Sequence, residues 1–349
     1  MDYRDHFVSG ELTGRVIAQA NDKLSLVNLT KHAIQSATRS FDYFQDFYLF
    51  GNGTGSMGVT TTAYAGGTPT LLTFALAQAT PLGSMMLQAT QRVMFYHPTT
   101  FAQRTGGSVT VSTVVSKDTA TDIVTFDAVP TDVVVGDIVC MEDTINREVQ
   151  GLDYFCNNFS TTFLVDAETG TALTRATNPW VNANVIDKAG AALDPAFLDT
   201  ISLQTKNQTG DGMMDWSHVL LSHPAQQNQY RKLGYALTRT VNVTGNKLLD
   251  LGFANVSHQG MEWRTSVNCQ ADRILGLMMN SWKMPEVEAP HLKDFQGDTL
   301  IQKPYTDRYY DAAMFAIEAR YTLVCERPFE QFLLKGLAFN TEDVRRRTN

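Results

Sequence analysis

The chain has 349 residues, 43% of them hydrophobic, enough to bury a substantial core in two domains or in one elaborated domain. Its formal net charge of -8 argues against a sequence-specific DNA-binding module, which would be basic, but leaves room for weak contact through a local patch. No apolar run approaches the ~18 residues that span a bilayer, and the N-terminal MDYRDHFVSGELTGR lacks the apolar segment of a secretion signal, which predicts a protein made and kept in a cytoplasm or assembled there.

Residues 1–27 are mixed in polarity with few large apolar side chains, and are predicted to form an extended arm that buries little. On that expectation, removal of residues 2–20 leaves the fold intact. From residue 28 the pattern changes. Ile34, Ala37, Phe41, Phe44 and Tyr48 recur at steps of three and four, which is one face of a long amphipathic helix. Asn28 is its predicted N-cap, and Gly51 stands where a left-handed residue would end it.

The stretch GNGTGSMG then places Gly53, Gly55 and Gly58 in the spacing G-x-G-x-x-G. Dinucleotide binding requires that spacing between a preceding strand and a following helix, whose N-terminus holds the pyrophosphate. Here the helix comes first, and the β-branched VTTTAYAGGTPT follows. The glycines are therefore read as a structural turn, without a nucleotide. Residues 59–105 are rich in Thr, Gly, Ala and Met, with a short helix predicted near LLTFALAQA.

Between 106 and 144, Val109, Val111 and Thr113 alternate with polar neighbours, and so do Ile123, Thr125 and Asp127. With VGDIV as a Gly-Asp turn into a further strand, this segment is predicted to be a small antiparallel β insertion. From about 195, LDPAFLDTISLQTKNQ opens a helix with Asp194 as N-cap and Pro195 at the first helical position. WSHVLLSHP is read as a buried strand ended by Pro224, AQQNQYRKLGYAL as a helix, and GMEWRTSVNCQADRILGLMMNSW as loops with β segments. Phe315, Ile317, Ala319 and Tyr321 alternate along a long strand that stops near Pro328, before one more short strand and the polar tail NTEDVRRRTN.

Chemistry-bearing patterns are sparse. Cys140, Cys156, Cys269 and Cys325 are scattered and form no C-x-x-C pair, which predicts buried free thiols. His218 and His223 flank a strand five residues apart and do not share a metal; Ser222-His223 lacks the glycines of a nucleophile elbow. Glu286 and Glu288 could pair on a strand face, but the prolines of MPEVEAP favour a solvated loop. Asp118, Asp122 and Asp127 lie in turns of the β insertion without EF-hand spacing, leaving a bound cation open there. Met278 and Met279, beside Leu275 and Leu277, read as core or interface packing. No catalytic, cofactor-binding or metal-binding residue and no cofactor is assigned, and an arm, a long helix and long strands suit a subunit that contacts copies of itself.

The order of these elements resembles that of the major capsid proteins of tailed bacteriophages, with the Hong Kong 97-type fold. The resemblance covers about 28–340 and is carried by LFGNGTGSMG after the long "spine" helix, VVVGDIVCMED followed by EVQGLDYF, and LTRATNPWVNANVIDKAG leading into LDPAFLDTI. DWSHVLLSHPAQQNQYRKL and the closing GDTLIQKPYTDRYYDAAMFAIEARYTLVCERPFEQFLLKGL add to it.

It implies an α+β capsid fold divided as N-terminal arm 1–27, peripheral domain with spine helix 28–105, β insertion 106–144, peripheral domain continued 145–194, axial domain 195–290, peripheral return strands 291–340 and polar tail 341–349. The family's extended two-stranded loop ahead of the spine is shortened here or supplied between 59 and 105. Some relatives form a Lys–Asn crosslink; Lys23 is the only lysine ahead of the predicted helix, and it is assigned no partner.

The implied function is structural and not enzymatic: hexamers and pentamers of one chain close an icosahedral virion shell around double-stranded DNA, after assembly in the host cytoplasm with scaffolding and portal proteins and no membrane. The acidic balance fits a container that must release DNA, and Arg345, Arg346 and Arg347 offer a local basic contact or a solvated tail. An encapsulin-like cellular compartment would share the fold, and a soluble hydrolase with an unrecognised site is the alternative of another class.

Overall fold

The computed structural model describes residues 4–13, 23–66, 70–74, 86–118, 121–159, 162–165, 172–209, 218–238, 257–293, 301–305 and 308–344. The first half of the chain holds β1 (Arg4–Thr13), α1 (Lys23–Leu49), β2 (Ser56–Val59), β3 (Thr70–Thr73), β4 (Arg92–Tyr96), β5 (Ser112–Asp118), β6 (Ile123–Phe126), β7 (Ile138–Met141), α2 (Leu152–Cys156), β8 (Thr162–Val165) and β9 (Ala172–Thr174). Then come β10 (Asn184–Ala191), α3 (Pro195–Thr209), β11 (His218–Ser222), α4 (Pro224–Thr238), β12 (Ser257–His258), β13 (Met261–Thr265), β14 (Ile274–Met278) and β15 (Trp282–Lys283). The last elements are β16 (Glu286–Leu292), β17 (Ile301–Tyr305), β18 (Arg308–Tyr321), β19 (Val324–Cys325), β20 (Phe332–Leu337) and α5 (Thr341–Val344). The chain is α+β, and it divides into two compact units: Met1–Leu49 with Met284–Val324, and Phe50–Lys283 with Cys325–Asn349.

In the first unit β18 is the central strand. β1 runs antiparallel along one edge, from Arg4 opposite Tyr321 to Thr13 opposite Ala312. The other edge carries β17 beside the first half of β18 and β16 beside the second. Phe315, Ile317, Ala319 and Tyr321 are all buried, as their alternation predicts. Gly10 lies opposite Phe315, whose ring occupies the place of a side chain there: a Cβ on Gly10 would stand 2.3 Å from the ring. The N-terminal segment is thus extended, as expected, and pairs along its whole described length with β18.

Helix α1 packs beside β1 and β18. It starts five residues before the expected cap, so Asn28 is a helical residue and Lys23 is the first residue of the helix, not a residue ahead of it. Leu24 and Val27 extend the same apolar spacing upstream, which is why the helix does not stop at Asn28. Ala37, Phe41 and Tyr48 are buried and Ile34 and Phe44 half-buried; Phe47 is buried too, although it lies off the three-four rhythm.

The second unit contains two six-stranded sheets. The first has the order β2-β7-β4-β5-β6-β3. Residues 106–144 therefore form no separate module: β5, β6 and β7 interleave with strands from 56–96. The expected helix at LLTFALAQA is in its described part the strand β3, with Leu72 fully buried and Leu71 exposed, an alternation that only a strand gives. In β5 and β6 the residues alternate in burial, as a strand requires. Ser112, Val114, Val124 and Phe126 point inward, while Thr113, Ile123 and Thr125 are half-buried. Phe126 decides this by packing edge-to-face on Phe95 at 5.5 Å, and a one-residue slip would turn it to solvent.

The second sheet has the order β10-β20-β14-β11-β13-β12. Its β14 is buried on both faces. Ile274 joins Leu220, Trp263, Phe332 and Leu334 under Leu198 and Ile201 of α3, while Leu275 and Leu277 join Leu333, Cys156, Cys269 and Phe50 on the other side. Asp194 caps α3 through its carboxylate, which accepts the Ala196 N–H at 2.9 Å. The sheet draws β10 from 184–191 and β20 from 332–337. β20 thus sits in the same sheet as β11, β12, β13 and β14 and not in that of β18. The tail begins as the short helix α5, with Val344 buried.

Phe41 is 3% exposed and Gln35 lies on the exposed face of the helix. Phe41→Ala should cost roughly 3–5 kcal/mol and lower the melting temperature measured by circular dichroism, whereas Gln35→Ala should leave it in place.

Candidate functional site

The glycine turn is the first candidate. α1 ends at Leu49, and Gly53 and Gly55, not Gly51, carry the left-handed backbone, with φ of 83° and 76°. The Asn52 side-chain oxygen accepts the Thr54 N–H at 3.1 Å and the Thr54 hydroxyl at 2.6 Å, closing an Asx turn. A Cβ on Gly55 would stand 2.8 Å from the Thr144 carbonyl oxygen. Gly58 is part of β2, and a Cβ there would meet the ring of Phe74 at 2.9 Å. The positive φ values and the close approach of the 144–150 loop account for these glycines. The strand β2, not a helix, follows them in the chain.

The histidine and serine candidates are separated. His218 donates through Nε2 to the Glu330 carbonyl at 2.8 Å and stacks on Phe332. His223 caps α4, its Nδ1 accepting the Ala225 N–H at 3.1 Å. The Ser222 hydroxyl donates to the His223 carbonyl oxygen and accepts the Trp263 indole N–H at 2.8 Å, away from either imidazole. Burial pushes both imidazoles below their ordinary range, His223 to about 4.

A constellation that sequence reading misses is Asp199–His258–Tyr230. His258 is buried; its Nε2 meets Asp199 at 2.9 Å and its Nδ1 meets the Tyr230 hydroxyl at 2.9 Å. The Tyr230 ring lies 4.9 Å from that of Trp263. Asp199 and His258 are 59 positions apart and on no shared motif, so no local signal announces them. Both ring nitrogens are engaged within the fold, which makes the arrangement a latch between α3, α4 and β12.

Buried charges in this unit are likewise structural. Asp137 is fully buried, accepts two bonds from Arg104 at 2.7 and 2.9 Å, and takes the Val134 N–H at 2.8 Å, fixing the turn ahead of β7. Arg273 bridges Asp153 and Asp272, and Arg175 donates to the carbonyls of Val181 and Tyr154. The four cysteines are free and buried; burial pushes the thiols of Cys269 and Cys325 up to about 12 and those of Cys140 and Cys156 upward as well, so none has a reactive thiolate.

The remaining sequence candidates fall as follows. MPEVEAP is solvated as expected, but from Glu286 on it is the strand β16 and not a loop; Glu286 lies opposite Tyr321 and Glu288 opposite Arg320, and consecutive residues of β18 face opposite ways, so the two carboxylates are not a pair. Asp127 accepts the backbone N–H groups of Thr113 and Ala128, and Asp118 accepts the Thr121 hydroxyl. Met279 is 51% exposed beside the buried Leu275 and Leu277. Arg345, Arg346 and Arg347 lie outside the described residues. Among the described residues, no helix is long and apolar enough to cross a membrane.

No family model matches the sequence, and no curated protein matches it. The chain is similar to solved shell proteins. It resembles a chain of the cyanophage A-1(L) capsid asymmetric unit at 18% identity, over 56% of this chain and 62% of that one, with a TM-score of 0.39. It resembles a chain of the satellite phage P4 procapsid that includes a size-determination protein, at 8% identity over 97% of this chain and 72% of that one, also at 0.39. The holo-SrpI encapsulin complex of Synechococcus elongatus matches at 14% identity over 48% of this chain and 56% of that one, at 0.29. The chain spans less than two thirds of the cyanophage and encapsulin chains. At TM-scores below 0.5 these likenesses carry no weight of their own, and the reading of function rests on the chain's own elements.

Two outcomes test this account. Gly55→Ala should destabilise by at least ~1 kcal/mol in chemical denaturation, because strain and a backbone clash add. Gly66→Ala, at φ +87 with open space around it, should cost strain alone and therefore less. As pH falls from about 6.5 to about 4, the unfolded chain takes up protons that native His223 refuses, so stability should fall over that window. His223→Asn keeps a side-chain cap without the titration and should make the melting temperature less steep in pH; His218 leaves a residual slope of the same sign.

Proposed function

We propose that this chain is the major capsid protein of a tailed-phage head, assembling as hexamers and pentamers into an icosahedral shell around double-stranded DNA. The observation that carries the reading is the length of two elements. α1 has 27 residues and extends about 40 Å; β18 has 14 and extends about 45 Å. They belong to a unit of roughly 90 residues, whereas a globule of ~100 residues is about 34 Å across, from a radius of gyration of ~13 Å. Both elements are longer than such a globule is wide, and long edges of this kind are suited to contact with copies of the same chain.

β16 supports the same reading. Its burial pattern leaves six of seven residues exposed, in a strand at the edge of the β18 sheet. An ordered edge strand that buries so little is a surface for a neighbour. In this proposal the β18 unit is the peripheral domain, and the sheet of β10, β20, β14 and β11 with α3 and α4 is the axial domain. Scaffolding and portal proteins are the expected partners in the host cytoplasm. The net charge of -8 limits attraction to packaged DNA to weak, non-specific contact.

Size-exclusion chromatography and electron microscopy of the purified full chain, alone and co-expressed with its neighbouring genes, test this. Capsomers or closed particles are expected, with DNA inside particles recovered from a packaging host. Particles that enclose an enzyme cargo instead would place the chain among encapsulin-like compartments. A monomer under all these conditions, with hydrolytic activity, would replace the shell reading by a soluble enzyme.

A further inference from the structure

The β16–β18 pairing contains a bulge whose consequence is chemical. Glu288 lies opposite Arg320 and His291 opposite Glu318, so Ala289 and Pro290 on β16 together face the single residue Ala319 on β18. In a regular strand residues 288 and 291 would point to opposite faces; the extra residue turns both to the face of Glu318. Ligand atoms of Glu288, His291 and Glu318 consequently lie within 4.8 Å of one another.

The orientation of His291 is informative. Its Nδ1 stands 2.9 Å from the Ala289 carbonyl oxygen, which can only accept, so Nδ1 carries the hydrogen. A neutral ring then presents the lone pair of Nε2 to the Glu318 carboxylate. Their separation is 3.5 Å, longer than the ~2.7–2.9 Å of an imidazolium–carboxylate hydrogen bond. It is close to the spacing of two ligands on one tetrahedral zinc, about 3.4 Å for metal–ligand bonds of ~2.0–2.2 Å. The other oxygen of Glu318 is held at 2.6 Å by Lys293, which leaves Oε1 directed at His291. A backbone carbonyl behind the imidazole and a donor behind the carboxylate are the outer partners that orient ligands at metal sites.

We propose that Glu288, His291 and Glu318 form a site for a divalent transition-metal cation of the zinc type, with the fourth position open to solvent. An imidazole with two carboxylates favours zinc, cobalt or nickel over magnesium and calcium, which prefer oxygen-only shells. Lys293 and Arg320 offset the two carboxylates and keep the surface from being a general acidic trap. Bound metal would clip β16 to β18 at the bulge, where the strand pairing is irregular. The proposal is independent of the shell reading, because binding is measured on the dissociated full chain.

The test is titration of Zn2+ by calorimetry, and of Co2+ by its visible absorption, into the full chain freed of metal with EDTA. One saturable equivalent per chain is expected, with a cobalt spectrum of low coordination number, and no comparable binding of Mg2+. His291→Ala and Glu318→Gln should each weaken Zn2+ binding at least as much as loss of an outer partner does, ~10–100-fold. His32→Ala on the exposed face of α1 and Glu286→Gln on the same strand should leave it unchanged. Matching melting temperatures of the metal-free variants will confirm that they fold. No saturable Zn2+ binding, or an affinity unchanged in His291→Ala, or an equal loss in His32→Ala, overturns the site.

Discussion

The antiparallel ladder between β1 and β18 is the constraint on which the first unit depends. It joins Arg4–Thr13 to Ala312–Tyr321, so segments far apart in the chain must meet before β1 is placed. Loop closure over that separation costs entropy, and the ladder recovers it through ten paired residues and the seating of Phe315 over Gly10. The glycine matters by what it lacks, since any side chain at residue 10 would expel a ring that is 1% exposed. The sheet of β10, β20 and β14 repeats the device: Gly276 lies opposite Phe332, and a Cβ there would stand 2.1 Å from that ring. Both sheets thus use an aromatic side chain to cover a glycine on the neighbouring strand.

The second unit is held by a different kind of element. Its strands come from widely separated segments, and hydrophobic burial alone does not choose among their registers. Directional polar groups do. Asp137 receives Arg104 and the Val134 N–H in one turn, Gln226 donates to the Ala271 and Ala338 carbonyls, and His258 ties α3 to α4. Each is a buried group with named partners, costly to strand if the register slips.

What a sequence states clearly is local. The three-four spacing of Ile34 to Tyr48, the Asp194-Pro195 start of α3, the Pro224 stop of β11 and the alternation from Phe315 to Tyr321 each depend on neighbours within a few turns or strand rungs, and all appear in the structure. The order of helix before glycines also assigns Gly53 and Gly55 to a turn, and the left-handed φ values agree. Where reading went astray, the local signal was weak or shared by two structures. LLTF suits a helix or a strand, Asn28 can cap or continue a helix, and two prolines in MPEVEAP suggested a loop although an edge strand tolerates them.

The rest was settled by partners distant in the chain. Which face of β6 is buried depends on Phe95, 31 positions before its partner Phe126, and membership of β20 in the second sheet depends on β10 and β14. The Asp199–His258–Tyr230 latch and the Glu288–His291–Glu318 cluster have no motif, because the packing of two helices beside β12 assembles the first and strand register with a bulge assembles the second. The sequence by itself determined the α+β class, the long helix, the glycine turn and the absence of a recognisable catalytic motif, since these follow from periodicity and composition. The tertiary structure alone decided which strands pair, which side chains meet and where the chain divides, because pairing energy depends on partners that no local window contains.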